Sequence, residues 1–177
     1  MFTVGKAESE MKRSPDSLIL GALAGVAATL PMTMVMSRLH RQLPVHERYP
    51  LPPREIGEDL PSLGLSAGAA TICYHFLYGG AAGALFGCLF RRRDTAMGSV
   101  FGVAVWAASY LGWIPAARML RFGTHHPPRR NGLMLISHLV WGTSLAAGLE
   151  QLERAQFESF SQSTSRRPVL RDRVEQA

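Results

Sequence analysis

Four stretches without a charged residue account for most of this sequence: residues 17–37, 60–90, 95–117 and 131–149. A bilayer core roughly 30 Å thick requires about 20 apolar residues of helix, and each stretch reaches or nearly reaches that length. The charged residues lie between and outside these stretches, whereas the amphipathic helices of a soluble domain carry polar faces. The sequence therefore predicts an all-α fold, an integral membrane four-helix bundle.

The charge pattern divides the chain into three regions. Residues 1–16 form a polar N-terminal tail, residues 17–152 form the four-helix transmembrane domain, and residues 153–177 form a polar C-terminal tail. The last region is rich in Ser and Arg and poor in apolar residues, so we expect it to be disordered.

A long loop rich in proline, residues 38–59, separates the first two predicted spans. Each proline favours extended or turn geometry in the residue before it. After Pro53 the sequence predicts a short interfacial helix, because Ile56 and Leu60 are four residues apart and therefore share one side. The acidic side chains of this helix lie on its other side: Glu55, Glu58 and Asp59.

The net charge of +6 raises the question of which partner the basic residues bind. They cluster at the ends of the predicted spans, where basic side chains reach phosphate headgroups. These residues are Arg38, Arg91, Arg92, Arg93, Arg118, Arg129 and Arg130. We therefore predict the lipid bilayer as the partner and no binding of nucleic acid. The only lysines are Lys6 and Lys12, a bias typical of GC-rich bacterial genomes, which favours the cytoplasmic (inner) membrane of a bacterium and a multi-pass protein.

Small residues recur every fourth position in three of the spans, as in membrane helices that pack closely. The glycines of this pattern are Gly21, Gly25, Gly79, Gly83, Gly87, Gly98 and Gly102. We interpret them as the helix-packing surfaces of one bundle, and a homodimer that uses the same surfaces is the alternative.

Two histidines lie inside the predicted spans. If the spans alternate in direction, His75 and His138 both lie roughly 10–14 Å inside the same face of the membrane, at a rise of 1.5 Å per residue. Thr29 on the first span and Ser109 with Tyr110 on the third lie at a similar depth. Each histidine precedes a glycine by four residues and so shares the packing face of its helix. The sequence thus predicts a polar pocket between the helices.

The chemistry of this pocket has three interpretations. A neutral histidine can bond to a backbone carbonyl or a hydroxyl, the two imidazoles can respond to pH near neutrality, or they can ligate a b-type haem. We predict no cofactor, with haem b at His75 and His138 as the alternative. Cys73 and Cys88 have no zinc-binding spacing with histidine, so no metal site is predicted.

Other polar and aromatic residues receive structural interpretations. His125 and His126 are expected in a solvated loop, while Trp106, Tyr110 and Trp113 are expected in an interfacial aromatic belt. Trp141 is expected to pack inside the bundle. No catalytic motif is present in the sequence, which favours a non-enzymatic protein.

Three segments carry a resemblance to a known group of proteins. They are Tyr49-Pro50-Leu51-Pro52-Pro53-Arg54-Glu55-Ile56, Ser109-Tyr110-Leu111-Gly112-Trp113-Ile114-Pro115, and Arg130-Asn131-Gly132 running into Ser137-His138-Leu139-Val140-Trp141-Gly142. Over residues 18–149 the chain resembles uncharacterised bacterial four-helix membrane proteins. The last segment also resembles, more distantly, a stretch of the YagU-like inner-membrane proteins. These resemblances imply a membrane location and four spans.

The expected function is that of a non-enzymatic integral membrane protein with a pH-responsive polar pocket between its helices. Two other functions stay open at this point. One is a redox subunit that holds b-type haem, and the other is an accessory subunit whose residues 44–61 dock a membrane protein partner.

Overall fold

The computed structural model describes residues 4–61, 64–119 and 125–174, and the side chains of residues 16–57, 60–61, 64–119 and 125–159. All regular secondary structure in these residues is helical. Its α-helices are α1 (Val4–Gln42), α2 (Pro52–Asp59), α3 (Ala67–Leu89), α4 (Thr95–Ala108), α5 (Ile114–Ala116) and α6 (Pro128–Val174). A 3₁₀ helix, Val45–Glu47, precedes α2, and a π-helical turn, Ser109–Trp113, joins α4 to α5.

Local chemistry sets where these helices begin. The side chains of Ser66 and Asp94 accept hydrogen bonds from the backbone amides of Ala69 (3.4 Å) and Met97 (2.8 Å), which caps α3 and α4. Proline occupies the first turn of α2, where a missing amide hydrogen costs nothing. The second apolar stretch begins at residue 60, and its helix begins after the Ser66 cap, the residue from which the depth of His75 is counted.

Four helical segments are long and apolar enough to cross a membrane: Asp16–Gln42, Ala67–Leu89, Thr95–Ala116 and Pro128–Ser159. Their outward surfaces are apolar as well. Exposed side chains of this kind include Leu23, Leu30, Met34, Ile72, Leu85, Val100 and Ile136. In a water-soluble bundle the outward face would be polar, so this distribution favours a lipid surrounding.

The first and last long helices of the chain, α1 and α6, extend beyond the apolar segments. Helix α1 begins at Val4 and α6 ends at Val174, so both continue into the regions that the sequence analysis assigns to polar tails. The described side chains of residues 154–159 are largely exposed, with Phe157 at 74%. This part of α6 therefore extends past the packed core, whose last fully buried residue is Leu149.

The four long helices pack in the order α3, α1, α6, α4. Helix α1 has extensive backbone contacts with α3 and α6, and α6 has them with α4. Among the described residues α3 and α4 form no comparable backbone contact. At one end the gap between them is filled by the rings of Phe86, Phe90 and Phe101, whose centroids lie 5.1–5.5 Å apart. The rest of the gap leaves room for a cavity.

Glycines allow α1 and α3 to meet backbone to backbone. A Cβ atom added to Gly83 would lie 2.7 Å from Cα of Gly25, and one added to Gly87 would lie 3.3 Å from Cα of Gly21. Gly79 in turn accommodates the hydroxyl of Thr29. The predicted stripes of both helices therefore face each other within one chain.

The contact between α4 and α6 repeats this arrangement. A Cβ atom added to Gly102 would lie 3.3 Å from Cα of Gly142, and one added to Gly98 would lie 2.6 Å from Cβ of Ala146. Gly142 was noted in the sequence only as a marker for the face of His138. All seven predicted packing glycines thus lie at contacts within the chain, while the homodimer stays a prediction.

Substituting Gly83 with Leu should destabilise the fold, because the new side chain must separate α1 from α3. Overpacking typically costs about 1–3 kcal/mol, so the melting temperature in detergent should fall by several degrees. Gly68→Leu is the matched control, since a Cβ atom at Gly68 on the same helix meets nothing within 4 Å. Equal melting temperatures for the two variants would contradict close packing at Gly83.

Candidate functional site

A cavity of about 410 Å³ lies in the gap between α3 and α4. All five residues of the predicted polar pocket line it: Thr29, His75, Ser109, Tyr110 and His138. Most of the remaining lining is apolar or aromatic, and it includes Met32, Ile56, Val105, Trp106, Ile114, Met134 and Trp141. The volume falls within the range of small-molecule sites, roughly 300–1,000 Å³.

On one wall of the cavity, side chains from α1 and α6 donate hydrogen bonds to the same backbone carbonyl group. The backbone oxygen of Gly25 accepts a hydrogen bond from the hydroxyl of Thr29 (2.8 Å) and one from Nε1 of Trp141 (3.3 Å). Trp141 is 2% exposed, so the prediction that it packs inside is confirmed. This shared acceptor fixes α6 against α1 beside the glycine contact with α3.

The two histidines are in different states of hydrogen bonding. His138 is buried, and its Nδ1–H donates to the carbonyl of Met134 at 2.8 Å. His75 is half-buried, yet its Nε2 atom is buried and has no hydrogen-bond partner in the described part of the chain. A hydrogen bond to a backbone carbonyl therefore satisfies the imidazole of His138, whereas Nε2 of His75 has no such partner.

A π-helical turn positions Ser109 and Tyr110 at the cavity. The sequence predicts an unbroken helix over residues 95–117, but Pro115 has no amide hydrogen to donate to the carbonyl four residues earlier. The regular helix ends at Ala108, and Gly112 takes a non-helical backbone conformation (φ −117°, ψ −106°). Turns of this kind occur frequently at functional sites.

Tyr78 bridges α3 and the π-helical turn. The hydroxyl of Ser109 donates to the carbonyl of Val105 at 2.7 Å, so the Tyr78 hydroxyl, also 2.7 Å away, donates to Ser109. The ring of Tyr78 lies 6.0 Å from that of Trp113, measured between centroids. These contacts cross the open side of the helix arrangement beside the cavity.

All three residues predicted for an aromatic belt line the cavity between the helices. Tyr110 is 3% exposed, as its place in the predicted polar pocket requires, and it stacks on the half-buried Trp106 with their centroids 6.2 Å apart. Trp113 is 44% exposed and also lines the cavity. The belt itself stays a prediction.

Helix α2 covers the end of the cavity. Pro52, Pro53, Ile56 and Leu60 line it, in agreement with the predicted apolar side of an interfacial helix. Gly57 packs against α3, where a Cβ atom would lie 3.1 Å from Cα of Thr71. The side chains of Glu58 and Asp59, predicted for the polar side, lie outside the described residues.

Arg130 anchors the segment that carries α2. Its side chain is fully buried, donates to the carbonyls of Tyr49 (2.9 Å) and Pro50, and lies 3.4 Å from a carboxylate oxygen of Glu55. The guanidinium carbon also lies 3.6 Å from the ring centroid of Tyr49. The expectation that Arg130 reaches lipid headgroups is therefore wrong. A signal for this was its place in the first turn of α6, where the helix dipole disfavours a cation.

His126 belongs to the same cluster, contrary to the predicted solvated loop. Its Nδ1 lies 2.7 Å from the hydroxyl of Tyr49, and its ring stacks on Tyr110 with centroids 5.4 Å apart. Burial raises the pKa of Tyr49, the nearby Glu55 and Glu47 act in the same direction, and Arg130 opposes them. His125 is exposed, as expected. The cluster thus joins the α2 segment to the cavity wall at Tyr110.

Neither the described residues nor known proteins identify a cofactor. Within residues 4–61, 64–119 and 125–174, no three His, Cys, Asp or Glu side chains are grouped so as to hold a metal ion. No protein family, curated protein or solved structure matches this chain. Function must therefore be argued from the cavity itself.

Replacing Arg130 with Gln should destabilise the fold, because it leaves Glu55 and two carbonyl groups without their shared donor. Breaking a buried ion pair costs about 3 kcal/mol, and the partial exposure of Glu55 makes this an upper value. Arg129→Gln is the control, since Arg129 is exposed on the preceding position. Denaturation in detergent should separate the two variants, and equal stabilities would contradict an anchoring role.

Proposed function

We propose that this chain is a multi-pass integral membrane protein with four spans. The arrangement of ion pairs supports this, because Arg130 pairs with Glu55 at one end of the helices and Arg93 pairs with Glu153 at the other. Along α6, residues 130–150 rise about 30 Å, the thickness of a bilayer core. Large apolar side chains such as Leu30, Ile72 and Val100 are exposed between these ends.

The same proposal includes the cytoplasmic membrane of a bacterium as the location. It rests on the resemblance to bacterial four-helix membrane proteins and on the preference for arginine over lysine. The lipid bilayer is the partner that the apolar outer surface requires. Residues 44–61, the segment proposed to dock an accessory partner, pack against their own chain through Arg130. The outward side of this segment would then be the surface for such a contact.

Within the membrane, the proposed function is non-enzymatic binding of a small, uncharged, lipid-soluble molecule. The observation that carries this proposal is the cavity's composition: none of its described lining residues is charged, while several aromatic rings and a few hydroxyls and imidazoles surround it. Sites of this kind bind apolar molecules and orient them with a few polar contacts.

A pH-responsive pocket remains part of this proposal. Imidazole titrates near neutrality, and His75 on α3 and His138 on α6 line the same cavity. The other ionisable side chains that line it are the phenols of Tyr74, Tyr78 and Tyr110. Because the ordinary pKa of imidazole lies in the physiological range, we attribute a change in ligand binding between about pH 7.5 and 5 to the histidines.

A b-type haem between His75 and His138 is the second candidate. Both histidines line one cavity, which suits axial ligation. The haem propionates are anionic, however, and the described lining offers no Lys or Arg to neutralise them. An absorption spectrum of the purified protein decides this, since a Soret band would favour haem.

The four-span proposal predicts that cysteines introduced at Val45 and Arg92 react from opposite sides of the membrane. Both positions are exposed and lie at opposite ends of α1 and α3. The test uses a chain in which Cys73 and Cys88 are replaced by Ser and a thiol reagent that cannot cross the membrane. Labelling of both positions in intact cells would contradict four spans.

The binding proposal predicts that 1-bromodecane quenches the protein's intrinsic fluorescence in detergent. The chain has three tryptophans, and all of them line the cavity: Trp106, Trp113 and Trp141. Val105→Phe fills part of the cavity and should weaken quenching, whereas Val100→Phe, exposed on the same helix, should not. Identical quenching curves would contradict binding in the cavity. Repeating the titration at about pH 5 tests the pH response.

A further inference from the structure

Two polar nitrogen atoms at the cavity are buried without a hydrogen-bond partner in the described residues. They are Nε2 of His75 on α3 and Nε1 of Trp106 on α4, and the hydroxyl of Tyr110 is buried without such a partner as well. Buried polar groups in proteins nearly always have a partner. All three residues line the cavity, so a bound molecule is a natural source of the missing partners.

The type of each nitrogen defines what the ligand must carry. The indole N–H of Trp106 can only donate, so it requires an acceptor atom on the ligand. Nε2 of His75 donates or accepts according to the tautomer. With His75 in its Nε2–H tautomer, a ligand with two oxygen acceptors would satisfy both helices at once.

The surroundings restrict that acceptor to an uncharged group. A carboxylate or phosphate oxygen would bring a negative charge into a lining that has no described cation, at a high desolvation cost. A carbonyl oxygen accepts the same hydrogen bonds without a charge. The aromatic rings that surround the cavity favour a flat ring as the body of the ligand.

The route into the cavity runs between α3 and the π-helical turn, where the hydrogen bond between Tyr78 and Ser109 must open to admit a ligand. The exposed lining residues are Leu77 (59%), Tyr78 (40%) and Ala81 on α3 and Trp113 (44%) in the π-helical turn. Tyr78 is near the middle of α3, Ala67–Leu89, about 17 Å from its first residue. In the four-span arrangement the opening therefore faces the hydrocarbon core of the bilayer.

The opposite end of the cavity is closed toward water. Helix α2 lies over it, and the buried Arg130 holds the preceding segment through the carbonyls of Tyr49 and Pro50. Tyr74 adds a hydrogen bond of 2.7 Å to the carbonyl of Pro61, just after α2. A ligand thus enters more easily from the bilayer, through the side of the cavity, than from water, through the end that α2 covers.

We infer that the cavity binds a lipid-soluble quinone-type molecule, a flat ring with two carbonyl oxygens, that enters from the bilayer past Tyr78. One oxygen accepts from Nε1–H of Trp106 and the other lies against Nε2 of His75. This inference rests on the proposed function, since it names the class of molecule that the same cavity holds. It involves binding only.

The test compares decyl-benzoquinone with decylbenzene, which has the same tail and a ring without oxygens. Ligand binding raises the melting temperature in detergent, and its concentration dependence gives the dissociation constant. The quinone should bind the wild-type protein more tightly than decylbenzene. Trp106→Phe removes the N–H and keeps a ring, so it should weaken quinone binding roughly three- to tenfold and leave decylbenzene binding unchanged.

Val100→Phe is the control, because Val100 lies on the same helix as Trp106, is 64% exposed and does not line the cavity. It should leave the preference for the quinone intact. Equal binding of the two compounds by the wild-type protein, or equal effects of the two substitutions, would overturn the quinone inference and leave the binding proposal standing. Failure of both compounds to bind would overturn both.

Discussion

The close contact of glycine with glycine is the interaction on which the rest of the structure depends. In a lipid surrounding the hydrophobic effect does not drive helices together, so packing must supply the association. Here it is supplied twice, by Gly25 against Gly83 between α1 and α3 and by Gly102 against Gly142 between α4 and α6. Each pair brings two backbones within contact distance.

These two contacts also explain why a cavity exists. They hold α3 against α1 and α4 against α6, while α1 and α6 pack on each other. The helices α3 and α4 are then left on the open side, where aromatic rings fill one end and the cavity occupies the other. The empty volume thus follows from strong packing elsewhere in the chain.

The parts of this arrangement that the sequence predicts are those set by regular helix geometry. A constant rise of 1.5 Å per residue was enough to place His75, His138 and Thr29 at one depth, and the structure brings them to one cavity. The four-residue repeat identified the packing faces in the same way. The depth of His75 was counted from Ser66, and the side chain of Ser66 caps the start of α3.

The parts that the sequence did not predict depend on contacts between distant residues or on departures from the helix. Arg130 meets the carbonyl of Tyr49 across 81 positions, and His126 meets the Tyr49 hydroxyl across 77. Neither partner is visible in local periodicity. The π-helical turn before Pro115 is likewise a departure from the regular helix that was expected over residues 95–117.

The two unpredicted features act together on the cavity. The turn places Tyr110 on its wall, His126 stacks on Tyr110, and the Tyr49 hydroxyl lies within hydrogen-bond distance of His126. Arg130 binds the backbone of the same tyrosine and so fixes the segment that leads into α2. A continuous set of contacts therefore joins the cover of the cavity to its wall. Because the buried cation of Arg130 requires all of its partners, a movement of α2 would also disturb the cavity wall at Tyr110. The cavity is therefore more easily opened on its side, between α3 and α4.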